Sequence, residues 1–345
     1  MIRKAPTIVQ IAKILGVAPS TVSRAFTDPG KLLPETVERV LATANQIGYV
    51  PNNHARALIT GYSSVIGLVV PDIANPFFPP IIRHAQRAAE ERGLSLIIAD
   101  ADGDPERESQ LVGRLTPQVE GIILASSRLP EQSLLTIAER LPTVLINRDV
   151  AGISRVLVNT GNALDEAIDG FVARGHRRIA YVGGPPRSWS DQERHSRVVA
   201  GVERHQLASA FFAAPAGTYT EALELADAVY RSGATAVIAF DDVVAHGLMS
   251  GFQALRLRIP GAIEVLGCDD TLATTTFPAL SSVALDLAEA ARRAVALLQR
   301  PVHGERATEL HETRVELEGR LVLRDSTRTT PPQRRSRDPL AGFIS

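Results

Sequence analysis

Apolar positions in this 345-residue chain follow two different rhythms. Near the start, Ile8, Ile11, Ala12 and Leu15 recur at i, i+3, i+4 and i+7, one face of a short helix, and Gly16 supplies a turn. Pro19 suits the first position of a second helix, where a missing N–H costs nothing. Val22, Ala25 and Phe26 form its apolar stripe, leaving Pro19, Ser20, Ser23, Arg24 and Thr27 on the opposite face. A third helix is predicted from Pro34 to Gln46, with Val37, Val40, Leu41 and Ala44 inward and Gly48 as its stop. From Val65 the rhythm changes. Continuous apolar runs of strand length (65–70, 94–99, 121–126 and 143–147) alternate with amphipathic helices (78–92, 105–115 and 131–140). A second series begins with RVLV (155–158) and a helix at 162–174. It continues with strands at 178–184, 235–240 and 264–269 and helices at 191–206, 220–232 and 242–256. Such alternation predicts parallel sheets covered on both faces, in two lobes, with a ligand in the crevice outside the carboxyl ends of the strands.

Charge sharpens this division. The net charge is only −1, yet residues 1–62 hold seven cations against three anions, a net +4. Residues 326–345 carry +3, which leaves −8 on the middle of the chain. All three lysines, Lys4, Lys13 and Lys31, lie in the basic head. A basic head on an acidic body points to a nucleic-acid-binding module joined to a domain of another kind. Cys268 is the single cysteine, which excludes an internal disulfide and a cysteine-based metal site. Neither a signal peptide nor an 18-residue apolar run is found, so the chain reads as soluble and cytoplasmic, without a membrane partner. Metal spacings such as HExxH, a GxGxxG fingerprint, a GxSxG elbow and a GK[ST] loop are all missing. The expectation is a non-enzyme with no metal and no cofactor.

The polar face of the second helix fits a major groove, where arginine reads guanine and hydroxyls reach phosphates. A plain three-helix bundle with a solvated face would carry the same spacing. After Tyr49-Val50-Pro51-Asn52, the stretch Asn53 to Ile59 is too short for a stable isolated helix, and Leu58 has no core to enter. It is either a linker or a segment that folds against DNA, with Leu58 as a minor-groove wedge. In the body, polar and aromatic residues just past strand ends are effector-site candidates: Asn75, Phe77 and Phe78, then Arg148, Asp241 and Asp269. Carboxylates and guanidinium groups facing one cleft suit a hydroxyl-rich ligand, and aromatic faces cover a ring. The cationic run Arg174 to Arg178 complements a helix end, and Cys268 reads as a buried small hydrophobe.

The succession TIVQIAKILGVAPSTVSRAF, GYVPNNHARAL, IGLVVPDIANPFF, RGHRRIAYVGGP, FDDVVAHG and LGCDD closely resembles the lactose-repressor (LacI/GalR) family of bacterial transcription regulators, over about residues 5–325. The resemblance implies an all-α helix-turn-helix head followed by two lobes like those of periplasmic binding proteins. It places Pro19, Ser20 and Arg24 against bases, and Thr7, Thr21, Ser23, Lys31 and Asn52 against the DNA backbone. Ala55 and Leu58 match the hinge helix, with Leu58 intercalating. Phe77, Phe78, Arg148, Asp241 and Asp269 match effector-pocket positions, and Tyr219 matches one more loosely. A further pocket arginine aligns with Arg194 when counted forward from Gly184-Pro185. Counted back from Ala200-Gly201, it falls on Val198 beside Arg197, so both arginines stay in play. Trp189 either stacks on a sugar or fills the lobe surface.

The implied organisation is a DNA-binding domain at 1–50, a hinge helix and linker at 51–63, a two-lobed body at 64–325 and a disordered tail at 326–345. Lobe one takes about 64–160 and 286–305, and lobe two about 161–285 and 306–325, with crossings near 158–162, 284–288 and 303–312. The tail shows no leucine heptad of the kind that makes tetramers, so a homodimer on a pseudo-palindromic operator is expected. Two departures stand out. Ala18 and Leu33 occupy N-cap positions where the family commonly has serine, and each lost cap typically costs ~1 kcal/mol. The implied function is a ligand-responsive regulator, a repressor of carbohydrate-related genes released by a small sugar-like effector, though a corepressor is equally allowed. A sugar-binding transport receptor shares the body fold, but it would have a signal peptide and no basic head.

Overall fold

In the computed structural model, which describes residues 6–49, 64–298 and 312–327, Thr7 opens helix α1 (Ile8–Leu15). Its hydroxyl accepts from the Gln10 amide while the Gln10 side chain accepts from the Thr7 amide, at 3.3 and 2.9 Å. This reciprocal cap satisfies two amides that the helix cannot. Gly16 ends α1 at φ +66°, a left-handed conformation that glycine adopts without a Cβ penalty. Helix α2 (Pro19–Thr27) and α3 (Pro34–Ile47) complete the head, and Ile11, Ala12, Val22, Ala25, Val40 and Ala44 form its core. One expected core residue is displaced. Leu41 is 41% exposed, and Thr43 is buried in its stead. The stripe also includes the half-buried Ile47, and at 100° per residue position 43 falls about 40° from it around the helix, whereas 41 falls about 120° away. The Thr43 hydroxyl is satisfied by donating to the Arg39 carbonyl at 2.9 Å. Neither Ala18 nor Leu33 caps its helix through a side chain.

The described residues fall into two compact units, one before and one from Val65 onward. The second contains two six-stranded sheets. The first sheet uses β1 (Val65–Val70), β2 (Ser95–Asp100), β3 (Gly121–Ala125), β4 (Thr143–Ile146), β5 (Ser154–Asn159) and β11 (Arg314–Glu318), in the order β11-β5-β4-β3-β1-β2. The second uses β6 (Arg178–Gly183), β7 (Ala208–Ala213), β8 (Ala236–Ala239), β9 (Glu264–Asp269), β10 (Ser281–Ala284) and β12 (Arg320–Val322), in the order β12-β10-β9-β8-β6-β7. All neighbours run parallel except β10 and β12. The central strands are buried on both faces, as their unbroken apolar runs require. Helices α4 (Phe78–Glu90), α5 (Pro105–Leu115) and α6 (Glu131–Ala138) belong to the first lobe. Helices α7 (Gly161–Ala173), α8 (Trp189–Arg204), α9 (Tyr219–Arg231) and α10 (Asp242–Ala254) belong to the second. Helix α11 (Leu287–Leu297) returns to the first lobe, burying Leu287, Ala290, Ala291 and Ala294 beside Ile66 and Leu68.

The chain therefore crosses between lobes at Thr160, between Ala284 and Leu287, and at Gly319. The third crossing corrects the expected boundary. Residues 314–318 pair with β5 in the first lobe, so the return to lobe two comes at Gly319 and not between 303 and 312. Strand β5, which contains the RVLV run that heads the second apolar series, lies in the first sheet between β4 and β11, in keeping with the expected lobe-one limit near 160. Strands β7, β10, β11 and β12 were not foreseen. β7, β11 and β12 are half-exposed edge strands with alternating or weak apolar patterns, and β10 is only four residues long. No helix among the described residues is long and apolar enough to cross a membrane.

The uncapped start of α3 yields a direct expectation. Leu33→Ser places a hydroxyl at an extended N-cap residue that is 74% exposed, and should stabilise the head by about 0.5–2 kcal/mol. Native-state hydrogen exchange of α3 amides in the full chain measures it, and unchanged protection would exclude the effect.

Candidate effector cleft and nucleic-acid face

A cavity of about 230 Å³ lies where the carboxyl ends of both sheets face each other. In each sheet the strand order reverses beside the first strand, β1 in one and β6 in the other, and such switch points leave crevices at carboxyl ends. From β1, the cavity receives Asp72, Asn75, Phe77 and Phe78. The two phenyl rings meet edge to face at 5.0 Å, and both are buried. The side-chain Oδ1 of Asn75 accepts from the Phe77 amide at 3.0 Å, which fixes the turn into α4. The Asn75 amide reaches over the cleft and donates to Asp241 at 3.1 Å.

Lobe two supplies the charged groups. Asp241 caps α10, accepting from the Val244 amide at 2.8 Å. Arg194 projects from α8 and is almost completely buried. It donates to Asp269 at 3.1 Å and to the Phe240 carbonyl, with its guanidinium 5.0 Å from the centre of the Phe240 ring. That ring lies so close to Gly184 that a Cβ there would fall 2.4 Å from it, so the second glycine of Gly183-Gly184 is a packing requirement. Asp269 itself has φ +103°, an unusual conformation for a residue with a side chain.

Burial pushes Asp269 well up, helped by the nearby carboxylates of Asp241 and Asp242, while the Arg194 contact opposes the shift. Asp241 is raised by burial and held down by the bonds from Val244 and Asn75. Asp242 lies just behind the cavity wall, accepting from the Ser282 hydroxyl at 2.6 Å and the Leu272 amide at 3.0 Å. Burial raises it to about 6.

Of the effector candidates, Asn75, Phe77, Phe78, Arg194, Asp241 and Asp269 line the cavity. The remaining four lie elsewhere. Arg148 turns away and donates to the Leu129 carbonyl at 3.3 Å. Trp189 and Arg197 border a separate crevice of about 10 Å³, beside Asn159 and Thr160, too small for a ligand. Arg197 also pairs with Asp165 at 3.4 Å. Tyr219 opens α9 with its ring against His246 at 5.1 Å; its neighbour Thr218 is the one at the cavity. Arg128, which the sequence reading passed over, lines the cavity from beyond β3. Its guanidinium lies on Gly103, donating to that carbonyl at 2.8 Å, and its backbone amide donates to the buried Glu108 at 3.0 Å. The strand-end rule that selected Asp241 and Asp269 points to Arg128 when applied to β3.

On the head, Pro19, Ser20 and Arg24 are exposed on α2, with Thr21 and Ser23 half-buried beside them. Lys31 is exposed and pairs with Asp28 at 2.7 Å. The Thr7 hydroxyl is engaged in the cap of α1. Asn52, Ala55 and Leu58, with the expected hinge helix, lie outside the described residues, as does the tail from 328 onward.

Residues 7–52 match the family described as "Bacterial regulatory proteins, lacI family", and residues 168–327 match "Periplasmic binding protein-like domain", together more than half of the chain. The chain belongs to the lacI family. The HTH-type transcriptional regulator DegA of Bacillus subtilis strain 168 is 28% identical over 336 residues, which cover 93% of this chain and 98% of that protein. A crystal structure of the lac repressor dimer bound to operator and the anti-inducer ONPF shares the fold, with a TM-score of 0.83 at 23% identity over 94% of this chain and 99% of that one. A complex of the transcriptional regulator CelR with cellobiose gives 0.68 at 25% identity, covering 93% and 99%. This lacI-family protein is a DNA-binding transcription regulator with a periplasmic-binding-protein-like body, and its named relatives are transcription regulators.

Asp242 gives the regulator a pH signature. Its folded-state value of about 6 lies above the unfolded 3.8, so the folded chain holds the proton more tightly. The stability it contributes is present below about pH 4 and lost as pH rises through about 6. Asp242→Asn should flatten the stability–pH curve between about pH 4 and 6 relative to wild type, by on the order of 3 kcal/mol at most. Chemical denaturation across that range measures it, and parallel curves would exclude the assignment.

Proposed function

We propose that this regulator is a cytoplasmic homodimer that represses carbohydrate-related genes and is released from its operator by a small sugar-like effector. The observation that carries this reading is the cleft itself. Two phenyl rings, a buried Arg194–Asp269 pair and the acceptor Asp241 converge there at the carboxyl ends of two parallel sheets. Such a mixture of planar charge pairs and aromatic faces recognises a ring rich in hydroxyls. Two heads read the half-sites of a pseudo-palindrome. Exposed Ser20 and Arg24 face the major groove, and Leu58 wedges into the minor groove at the centre. Effector binding shifts one lobe against the other, and a few kcal/mol of coupling suffices to release a marginal hinge helix. The basic head and the lacI match over 7–52 favour this reading over a transport receptor with the same body.

Three variants separate the parts. Arg24→Ala should cost about 1–3 kcal/mol of operator affinity with effector binding intact. Leu58→Ala should also weaken the operator complex and spare the effector. Asp269→Asn should abolish the effector response while DNA binding persists. Gel shifts on the upstream region of the protein's own gene, with sugars, polyols and sugar acids chosen by thermal shift, test all three. Release that survives Asp269→Asn would place the effector elsewhere.

A further inference from the structure

The bond between Asn75 and Asp241 joins the two lobes directly. Asn75 stands on the turn after β1 in lobe one, and Asp241 caps α10 in lobe two, with 3.1 Å between amide nitrogen and carboxylate oxygen. Both partners belong to the chain, so the contact needs no atom from an effector. Each partner is also fixed from behind. The side-chain Oδ1 of Asn75 is held by the Phe77 amide, and the other Asp241 oxygen by the Val244 amide. Neither side chain therefore loses much freedom on meeting the other, and a hydrogen bond to a buried carboxylate is among the stronger kinds. A second bond between the lobes, from Asn162 to Glu318 at 3.2 Å, sits at the hinge and so has little leverage over the width of the cleft. Asn75 and Asp241 border the cavity itself.

We infer that Asn75 and Asp241 form a latch, built into the protein, that biases the two lobes toward closure before any effector binds. The inference rests on reading the cleft as the effector site, and it names how that site is regulated. A protein that spends part of its time closed has its binding-competent state already populated, and apparent affinity scales with that fraction. An effector then completes a closure that the chain has begun.

The geometry allows a reversal of polarity as the test. Asn75→Asp keeps the acceptor for the Phe77 amide but sets two carboxylates against each other. Adding Asp241→Asn restores one donor and one acceptor with their roles exchanged, and asparagine remains a competent N-cap for α10. Asn75→Ser keeps a local acceptor but is too short to reach Asp241, which separates loss of the bond from repulsion. Spin labels on exposed Ser109→Cys in α5 and Ala228→Cys in α9 report the lobe separation, while the native Cys268 is buried away from the label. The labelled full-length chain is diluted into unlabelled chain, and no effector is added.

Asn75→Asp and Asn75→Ser should each move the distance distribution to longer values, shifting the closed-to-open ratio by about tenfold or more. The Asn75→Asp/Asp241→Asn pair should return it to the wild-type distribution. Unchanged distances in both single variants, or no recovery in the double variant, would overturn the latch. Because no effector enters the measurement, that result stands apart from the effector assignment. Loss of sugar response in a protein whose lobes behave as described would count against the proposed function alone.

Discussion

Where the chain crosses at Gly319, its amide donates to the Asn159 carbonyl at 2.7 Å, tying two of the three connections between the lobes together. A Cβ on Gly319 would lie 2.9 Å from Leu285, 3.0 Å from Val283 and 3.2 Å from the Asn159 carbonyl, so the segments approach as closely as they do because this residue is glycine. Three linked crossings allow the lobes to rotate about one edge while opposing free translation. Hinged bodies of this kind convert small changes at the edge into larger ones at the far side. The cleft lies at the strand ends that such rotation opens and closes.

The two walls of that cleft have different characters. Lobe two presents a nearly immobile group: the buried Arg194 is clamped by the buried Asp269 and by the carbonyl and ring of the half-buried Phe240. An ion pair in such surroundings adds little net stability, because desolvation offsets most of its attraction. Its value lies in orientation, since both groups keep one geometry. Lobe one presents Arg128, anchored through one nitrogen to Gly103, and Asp72, one oxygen of which accepts from the Ala74 amide at 2.8 Å. A rigid wall that orients and a partly engaged wall that completes the contacts suit a ligand captured by hinge motion.

Much of this was legible in the sequence, for identifiable reasons. The central strands are buried on both faces, so their composition alone marks them, and the limits of β1, α5 and β9 agree with the apolar runs. Glycines at 16 and 48 and prolines at 19 and 34 delimit the head helices because backbone chemistry leaves few alternatives there. Edge strands were lost where a half-exposed strand has no distinctive pattern, as Ala208–Ala213 and Arg314–Glu318 illustrate, whereas the edge strand Ser95–Asp100 still carries an apolar run. In the site, Asn75, Asp241 and Asp269 follow directly from their places at strand ends. Arg148 satisfies the same rule and yet turns toward Leu129. Its direction depends on the preceding Asn147, whose left-handed backbone and bond to the Val158 amide are products of tertiary packing. Arg128 is reached through Gly103 and Glu108, partners about two dozen residues away that no local pattern connects to it.

Arg194 and Val198 sit four residues apart on one face of α8, both buried. Counting residues from one end of the segment assigns the pocket arginine to the first position, and counting from the other end assigns it to the second. The helix decides between them, because one turn is a rise of about 5.4 Å and the two positions meet different surroundings. Arg194 lines the cleft, whereas Val198 packs in the apolar core with Leu164, Phe171 and Tyr181, where a guanidinium would be buried without a partner. A one-turn ambiguity in counting is thus settled by what each turn of the helix faces.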